Sequence, residues 1–236
     1  MTDSTIVLFA TAASIGFIHT LVGPDHYIPF IVLSRARGWT LAKTMIITLL
    51  CGIGHILSSI ALGLVGILVG AGVFRLRAIE AARGEVVAWL LMIFGFAYAV
   101  WGLRRAWRSC SHEHPHHHAG GESHSHSHSH LDAHAHAHLG RDGNLTPWVL
   151  FLIFVFGPCE PLIPLFMVPA AANRYAEAVS VAVVFGLATI ATMLVTVALL
   201  FFGLAKIPFR HLAKHSHTLA GAAIFLCGAA IKFLGL

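Results

Sequence analysis

Two carboxylates and three histidines stand inside stretches that are otherwise apolar: His19, Asp25, His26, His55 and Glu160. An ionisable group at bilayer depth costs roughly 2.5–3.5 kcal/mol even on insertion scales, so each needs a partner or a function. His19 and His26 are seven residues apart, two helical turns, and share a face if the helix continues. Asp25 would point away from that face, but Gly23-Pro24 lets the chain unwind and turn it inward. Imidazole suits divalent nickel, cobalt, copper and zinc, and a carboxylate balances their charge. A lone intramembrane histidine is more often a hydrogen-bonding residue than a ligand, whereas His19, Asp25, His26 and His55 taken together point to a metal ion. The other polar groups in these stretches, Ser58, Cys159, Thr189 and Thr192, are secondary candidates for metal contact or ion coupling. Cys159 is either a soft ligand or an inert buried thiol.

Such residues need an apolar scaffold around them, and the composition supplies one. Of 236 residues, 57% are hydrophobic and 11% charged, with a mean hydropathy of +0.80. Soluble domains carry about 25% charged residues, so the expected solvent is a lipid bilayer. The net charge of +5 is too modest to suggest nucleic acid. Four cysteines without CxxC or zinc-finger spacing exclude a disulfide scaffold. No nucleotide-binding GxxxxGK[ST] stretch and no organic-cofactor motif is present, and the expectation is transport, not catalysis.

Runs long enough to cross a hydrocarbon core of roughly 30 Å fall at 6–33, 44–72, 86–103, 147–169, 177–205 and 218–236. The expected fold is therefore an all-α polytopic membrane protein with six transmembrane helices. Lys and Arg collect on one side of this plan. Arg35, Arg37, Lys43, Arg104, Arg105, Arg108, Arg141, Lys206, Arg210 and Lys214 face Arg75, Arg77, Arg83 and Arg174. The bias puts the first group inside, both termini outside, and the chain in the inner (cytoplasmic) membrane.

An internal repeat organises the spans. Gly23-Pro24-Asp25-His26 is echoed 134 residues later by Gly157-Pro158-Cys159-Glu160, and at the same offset His55 matches Thr189 and Ser58 matches Thr192. Two halves of three spans must be inverted, because three is odd. Inverted repeats with helices broken at corresponding Gly-Pro sites and a midplane site between the halves are a transporter design. The expected division is 1–106 for the first repeat, 107–146 for a loop, and 147–236 for the second repeat.

That loop is rich in histidine: His112, His114, His116, His117, His118, His124, His126, His128, His130, His134, His136 and His138. It cannot build a core and is expected to be disordered without a ligand. Neutral imidazoles spaced this densely can capture several borderline metal ions weakly and exchange them quickly.

His19 with Asp25-His26, followed by Gly54-His55 and Ser58-Ser59, resembles the nickel/cobalt transporter families, whose hallmark is His-(four residues)-Asp-His on one helix and Gly-His-Ser on the next. The spacer here is one residue longer, and position 56 is Ile where the family usually has Ser. The plan of six spans with a histidine loop after the third looks most like the NicO/RcnA branch, in the broad superfamily that also holds LysE and DsbD. The resemblance implies metal binding by His19, Asp25, His26 and His55, nickel or cobalt as cargo with zinc or copper as lesser choices, and efflux from the cytoplasm. Asp25 and Glu160 are candidates for carrying protons in exchange. An importer and a metal-delivery protein serving a metalloenzyme are the alternatives, and an oligomer is compatible with either.

Gly157-Pro158-Cys159-Glu160-Pro161 with Pro164 also resembles the proline-flanked cysteine of CcdA/DsbD thiol-redox carriers. Those carriers need a cysteine in each half for thiol–disulfide exchange, and here Asp25 occupies the position matching Cys159. Export of organic anions or sulfite is the remaining alternative in the same superfamily. Zinc importers of the ZIP type are set aside, because the fourth and fifth spans contain no histidine.

Overall fold

The structure is a computed structural model that describes residues 3–108, 112–117, 123–128, 145–205 and 213–235. Its membrane portion is helical. Helix α1 (Asp3–Val22) leads through a 3-10 turn at Pro24–His26 into α2 (Ile28–Arg37), followed by α3 (Leu41–Leu68) and α4 (Val73–Arg108). After the loop come α5 (Leu145–Phe156), α6 (Leu162–Ala171), α7 (Tyr175–Ala205), a second 3-10 turn at Ala213–His215, and α8 (Ser216–Leu234).

Local signals set the boundaries. Gly38, at φ 61°, closes α2 in the left-handed conformation that glycine adopts without cost. Thr40 caps α3, its hydroxyl accepting from the Lys43 N–H at 3.3 Å. Pro24 lacks the N–H that would continue α1, and Pro29 sits in the first turn of α2, where none is needed.

Among the described residues, five helices are long and apolar enough to cross a membrane: Thr5–Val22, Leu41–Leu68, Val73–Arg108, Tyr175–Leu204 and Ser216–Leu234. Helices α5 and α6, at 12 and 10 residues, are each too short to cross alone, since a spanning helix needs about 20 residues. They meet at the Gly157–Pro161 break. Helix α4 begins 13 residues before the expected third span. Arg75, Arg77, Glu80, Arg83 and Glu85 made that stretch read as a loop, yet Glu80 is fully buried and Arg83 answers its charge from the next turn.

Ties between elements define two ends of the bundle. At one, Thr5 of α1 donates to Glu177 of α7 at 3.1 Å, and Lys232 of α8 pairs with Glu85 of α4. Toward the other, Arg35 of α2 donates to the Leu204 carbonyl of α7. There too Tyr98 of α4 bonds His217 of α8 at 2.8 Å and accepts from Arg37 of α2 at 3.2 Å. The broken pair α1–α2 thus crosses the bundle alongside α7, while α5 packs against α3.

Helices α4 and α8 form the closest pair. A Cβ at Gly95 would meet the Gly221 carbonyl at 2.8 Å, and one at Gly221 would meet the Gly95 carbonyl at 2.6 Å. Apolar burial gives helices in lipid no drive to associate, so close van der Waals approach through small residues takes its place.

Two apolar clusters fill the interior. Phe30, Leu33, Leu150, Phe154, Met193 and Ile224 belong to one; Ile56, Leu76, Leu162, Phe166 and Phe185 belong to the other.

The loop expected to lack regular structure carries a two-stranded antiparallel hairpin, β1 (His112–His117) with β2 (Ser123–His128). Its register pairs His112 with His128, His114 with His126 and His116 with His124. Alternation of histidine with other residues matches the two-residue period of a strand, so those six positions share one face. His118, His130, His134, His136 and His138 lie outside the described residues.

Candidate metal centre

The first helix break delivers two of the three histidines. His19 lies in the last turn of α1, and its carbonyl accepts the Gly23 N–H at 3.0 Å. The chain then turns so that His26 folds back on His19, with ring centroids 4.9 Å apart. The turn requires glycine at position 23, because a Cβ there would stand 2.6 Å from His26 Nδ1 and 2.9 Å from Asp25 Oδ1. Helix α3 supplies His55, whose ring lies 5.4 Å from that of His26.

The ligand atoms that His19, His26 and His55 can offer all lie within 4.8 Å of one another. His19 adjoins Phe185 and His55 adjoins Phe154, at 6.5 and 6.3 Å between centroids. The trio therefore sits where the two apolar clusters meet.

Hydrogen bonding fixes which nitrogens are free. His55 Nδ1 is 3.3 Å from the Phe154 carbonyl oxygen. His26 Nδ1 is 3.2 Å from both the Gly23 carbonyl and Asp25 Oδ1. A carbonyl or an ionised carboxylate can only accept, so both Nδ1 atoms carry the proton, and in the neutral rings both Nε2 atoms present lone pairs. The Nε2 atoms of His19, His26 and His55 are all buried without a hydrogen-bond partner. Buried polar atoms are almost always satisfied, and three unpartnered nitrogens on rings this close together form a ready set of ligands. Metal-bound histidines characteristically donate their other ring N–H to a carbonyl or carboxylate, as His55 and His26 do here.

The remaining sequence candidates fall around this trio. Asp25 stands behind His26 as its hydrogen-bond partner and lies outside the three-residue grouping. Ser58 donates to the His55 carbonyl at 2.8 Å. Thr192 donates to the Ala188 carbonyl at 2.7 Å, and Thr189 is buried against Gly16 of α1. Cys159 is fully buried among apolar side chains of the second cluster and outside the grouping. Glu160 is exposed.

His19, Asp25 and His26 line a crevice of about 390 Å³ with Gly84, Pro158 and Ile231. A second crevice of about 310 Å³ shares His19, Gly84, Pro158 and Pro161 and adds Glu160, Glu85 and Lys232. The two crevices thus lie along the second break, between His19, the start of α6 and the C-terminal end of α8.

Sequence reasoning missed Glu80 and treated Arg83 as a loop charge. Their signal was a three-residue spacing between opposite charges, which places two side chains on one helix face.

Together the helices, the two breaks and the buried nitrogen cluster define a polytopic membrane protein with a polar centre inside it. The sequence model of the cytochrome c biogenesis protein transmembrane region family matches residues 28–230. The chain belongs to that family. No curated protein and no solved structure matches it significantly. The matched range begins after the first break, so His19, Asp25 and His26 precede it and His55 lies within it.

Proposed function

We propose that the protein transports a divalent transition-metal ion, nickel or cobalt first, across the inner membrane. One observation carries this reading: His19, His26 and His55 each bring a ligand nitrogen within 4.8 Å of the others, and the buried Nε2 atom of each ring has no hydrogen-bond partner. Neutral imidazoles bind nickel, cobalt, copper and zinc, and Asp25 behind His26 offsets the charge of the ion. The crevices from His19 to Glu160 provide the path on one side.

The fold proposed for this activity is two inverted repeats of three spans. Helices α5 and α6 together make the sixth span, and the pairing of α1 with α7 mirrors that of α5 with α3. The histidine loop lies in the cytoplasm and both termini outside, so the loop collects metal for efflux. Asp25 and Glu160 carry protons in return. This plan places the chain nearest the NicO/RcnA branch.

The test is the metal content of cells grown in trace nickel, cobalt, zinc, copper and manganese, with and without the protein. Export predicts a selective fall in nickel or cobalt that His26→Ala and His55→Ala abolish at equal membrane abundance. A selective rise would reverse the direction and keep the site. Wild-type behaviour in both variants would end the assignment. Flux exceeding the protein's copy number separates transport from storage or delivery.

A thiol-redox carrier is the second reading, favoured by the family and by Cys159 at the second break. Against it, Cys51, Cys159 and Cys227 are free and buried, and Cys51 packs in the opposite apolar cluster from Cys159. A reactive thiol sits in an accessible, electropositive setting.

A further inference from the structure

Glu80 is fully buried in an apolar bundle, and the metal centre makes no use of it. Its Oε1 accepts from Arg83 at 2.5 Å, and its Oε2 accepts the Cys159 N–H at 3.0 Å. Arg83 donates onward to the Val155 carbonyl at 3.0 Å, the Gly157 carbonyl at 3.1 Å and Ser58 Oγ at 2.9 Å. One ion pair on α4 therefore reaches both sides of the α5–α6 break and the helix that carries His55.

The placement follows the electrostatics of a broken helix. The last carbonyls of α5 lack intrahelical donors and carry partial negative charge, which a guanidinium satisfies. The amide at Cys159, leading into α6, is answered by the carboxylate. A carboxylate buried in an apolar bundle is costly unless it is paired and hydrogen-bonded, and both oxygens of Glu80 accept hydrogen bonds, one of them from the partly buried Arg83.

We propose that the Glu80–Arg83 pair is the resident counter-ion of the second break, and that Arg83 is a positioning residue for His55. Its reach is short. Phe154, whose carbonyl orients the His55 ring, is the residue before Val155. Ser58, the other partner of Arg83, bonds the His55 carbonyl. Ring and backbone of His55 are thereby held from two directions by one guanidinium. This rests on the metal reading for its consequence, and on geometry alone for the orientation.

The test uses the membrane-spanning chain in detergent, wild type and variants alike. Ni2+ binding is measured by titration calorimetry after deletion of 112–138, so that loop histidines do not contribute. Arg83→Gln should weaken binding about 10–100-fold, the usual cost of losing an outer-shell partner. In a His55→Ala background it should cost almost nothing further, because residues acting through one another are non-additive. Arg83→Lys should fall between, since one ammonium lacks the planar fork that spans these acceptors. If Arg83→Gln does not fold, Glu80→Gln/Arg83→Gln is read in its place, because it leaves no lone buried charge.

A metal-free readout is the 15N signal of the His55 ring, assigned by its loss in His55→Ala. In Arg83→Gln it should move from the Nδ1–H form toward a mixture of tautomers. An unchanged signal, or additive losses of binding, would overturn the positioning role. Absence of Ni2+, Co2+ and Zn2+ binding by wild type would overturn the metal reading, while a shifted His55 signal would still support the role of Arg83.

Discussion

The ring of His55 and the backbone of Gly157 meet so closely that a Cβ on the glycine would lie 3.0 Å from His55 Nδ1. The glycine of the first break stands in the same relation to His26, at 2.6 Å. Each Gly-Pro motif thus seats one histidine against a bare backbone. The breaks are where the chain bends, and each also seats one of the three clustered histidines.

Gly157→Ala tests that relation. The added methyl would also stand 3.0 Å from the Phe154 carbonyl, so ring and carbonyl must each give by a few tenths of an ångström, which loosens the bond between them. Ni2+ affinity should fall about 10-fold or more, with the helical circular dichroism and elution volume of wild type. Unchanged affinity would separate the second break from the metal centre.

A peptide covering 107–146 should bind Ni2+ or Zn2+ at pH 7.5 and gain β-signal in far-UV circular dichroism. The register places three histidine pairs on one face of the hairpin, so metal would favour the paired form. Ionic competition sets the pH dependence. Free histidine protonates near pH 6.5, and a protonated ring has no lone pair to offer. Capture should therefore be present above that pH and lost as pH falls below it. Metal binding with no gain of β-signal would leave capture standing and remove the paired arrangement.

Gly221→Val should destabilise the whole bundle. Its Cβ would enter the backbone of α4 at Ala99 and Gly95, forcing the closest pair of helices apart. Overpacking costs about 1–3 kcal/mol, occasionally more, and thermal unfolding in detergent should shift downward accordingly. A neutral outcome would mean that α8 is free to slide on α4.

Cys159→Ser should leave metal export unchanged, since the thiol lies outside the histidine grouping. A hydroxyl is similar in size but cannot exchange disulfides. Loss of function with wild-type abundance would favour the thiol-redox reading. Metal content of cells reads the result directly.

Much of the site was legible before any fold was known. Ionisable residues in apolar runs are rare enough to be conspicuous, and His19, His26 and His55 were selected on that ground alone. The Gly-Pro breaks were equally readable, because proline cannot continue a helix whatever surrounds it. Asp25 adjoins His26 in sequence, but its hydrogen bond to the His26 ring is set by the 3-10 turn, and sequence spacing carries no such orientation.

Local chemistry therefore determined the lipid solvent, the helix breaks and the identities of the three histidines. Tertiary structure decided what long-range contact decides. Glu80 and Arg83 looked like the charged end of a loop, and only the approach of α5 and α6 explains why both belong inside. His55 is 29 residues from His26 in the chain, and the packing of α3 against the first break brings their rings together. The loop histidines alternate in sequence, but which histidine faces which depends on strand register. Burial, hydrogen-bond partners and register are properties of neighbours in space, and a sequence fixes its neighbours only along the chain.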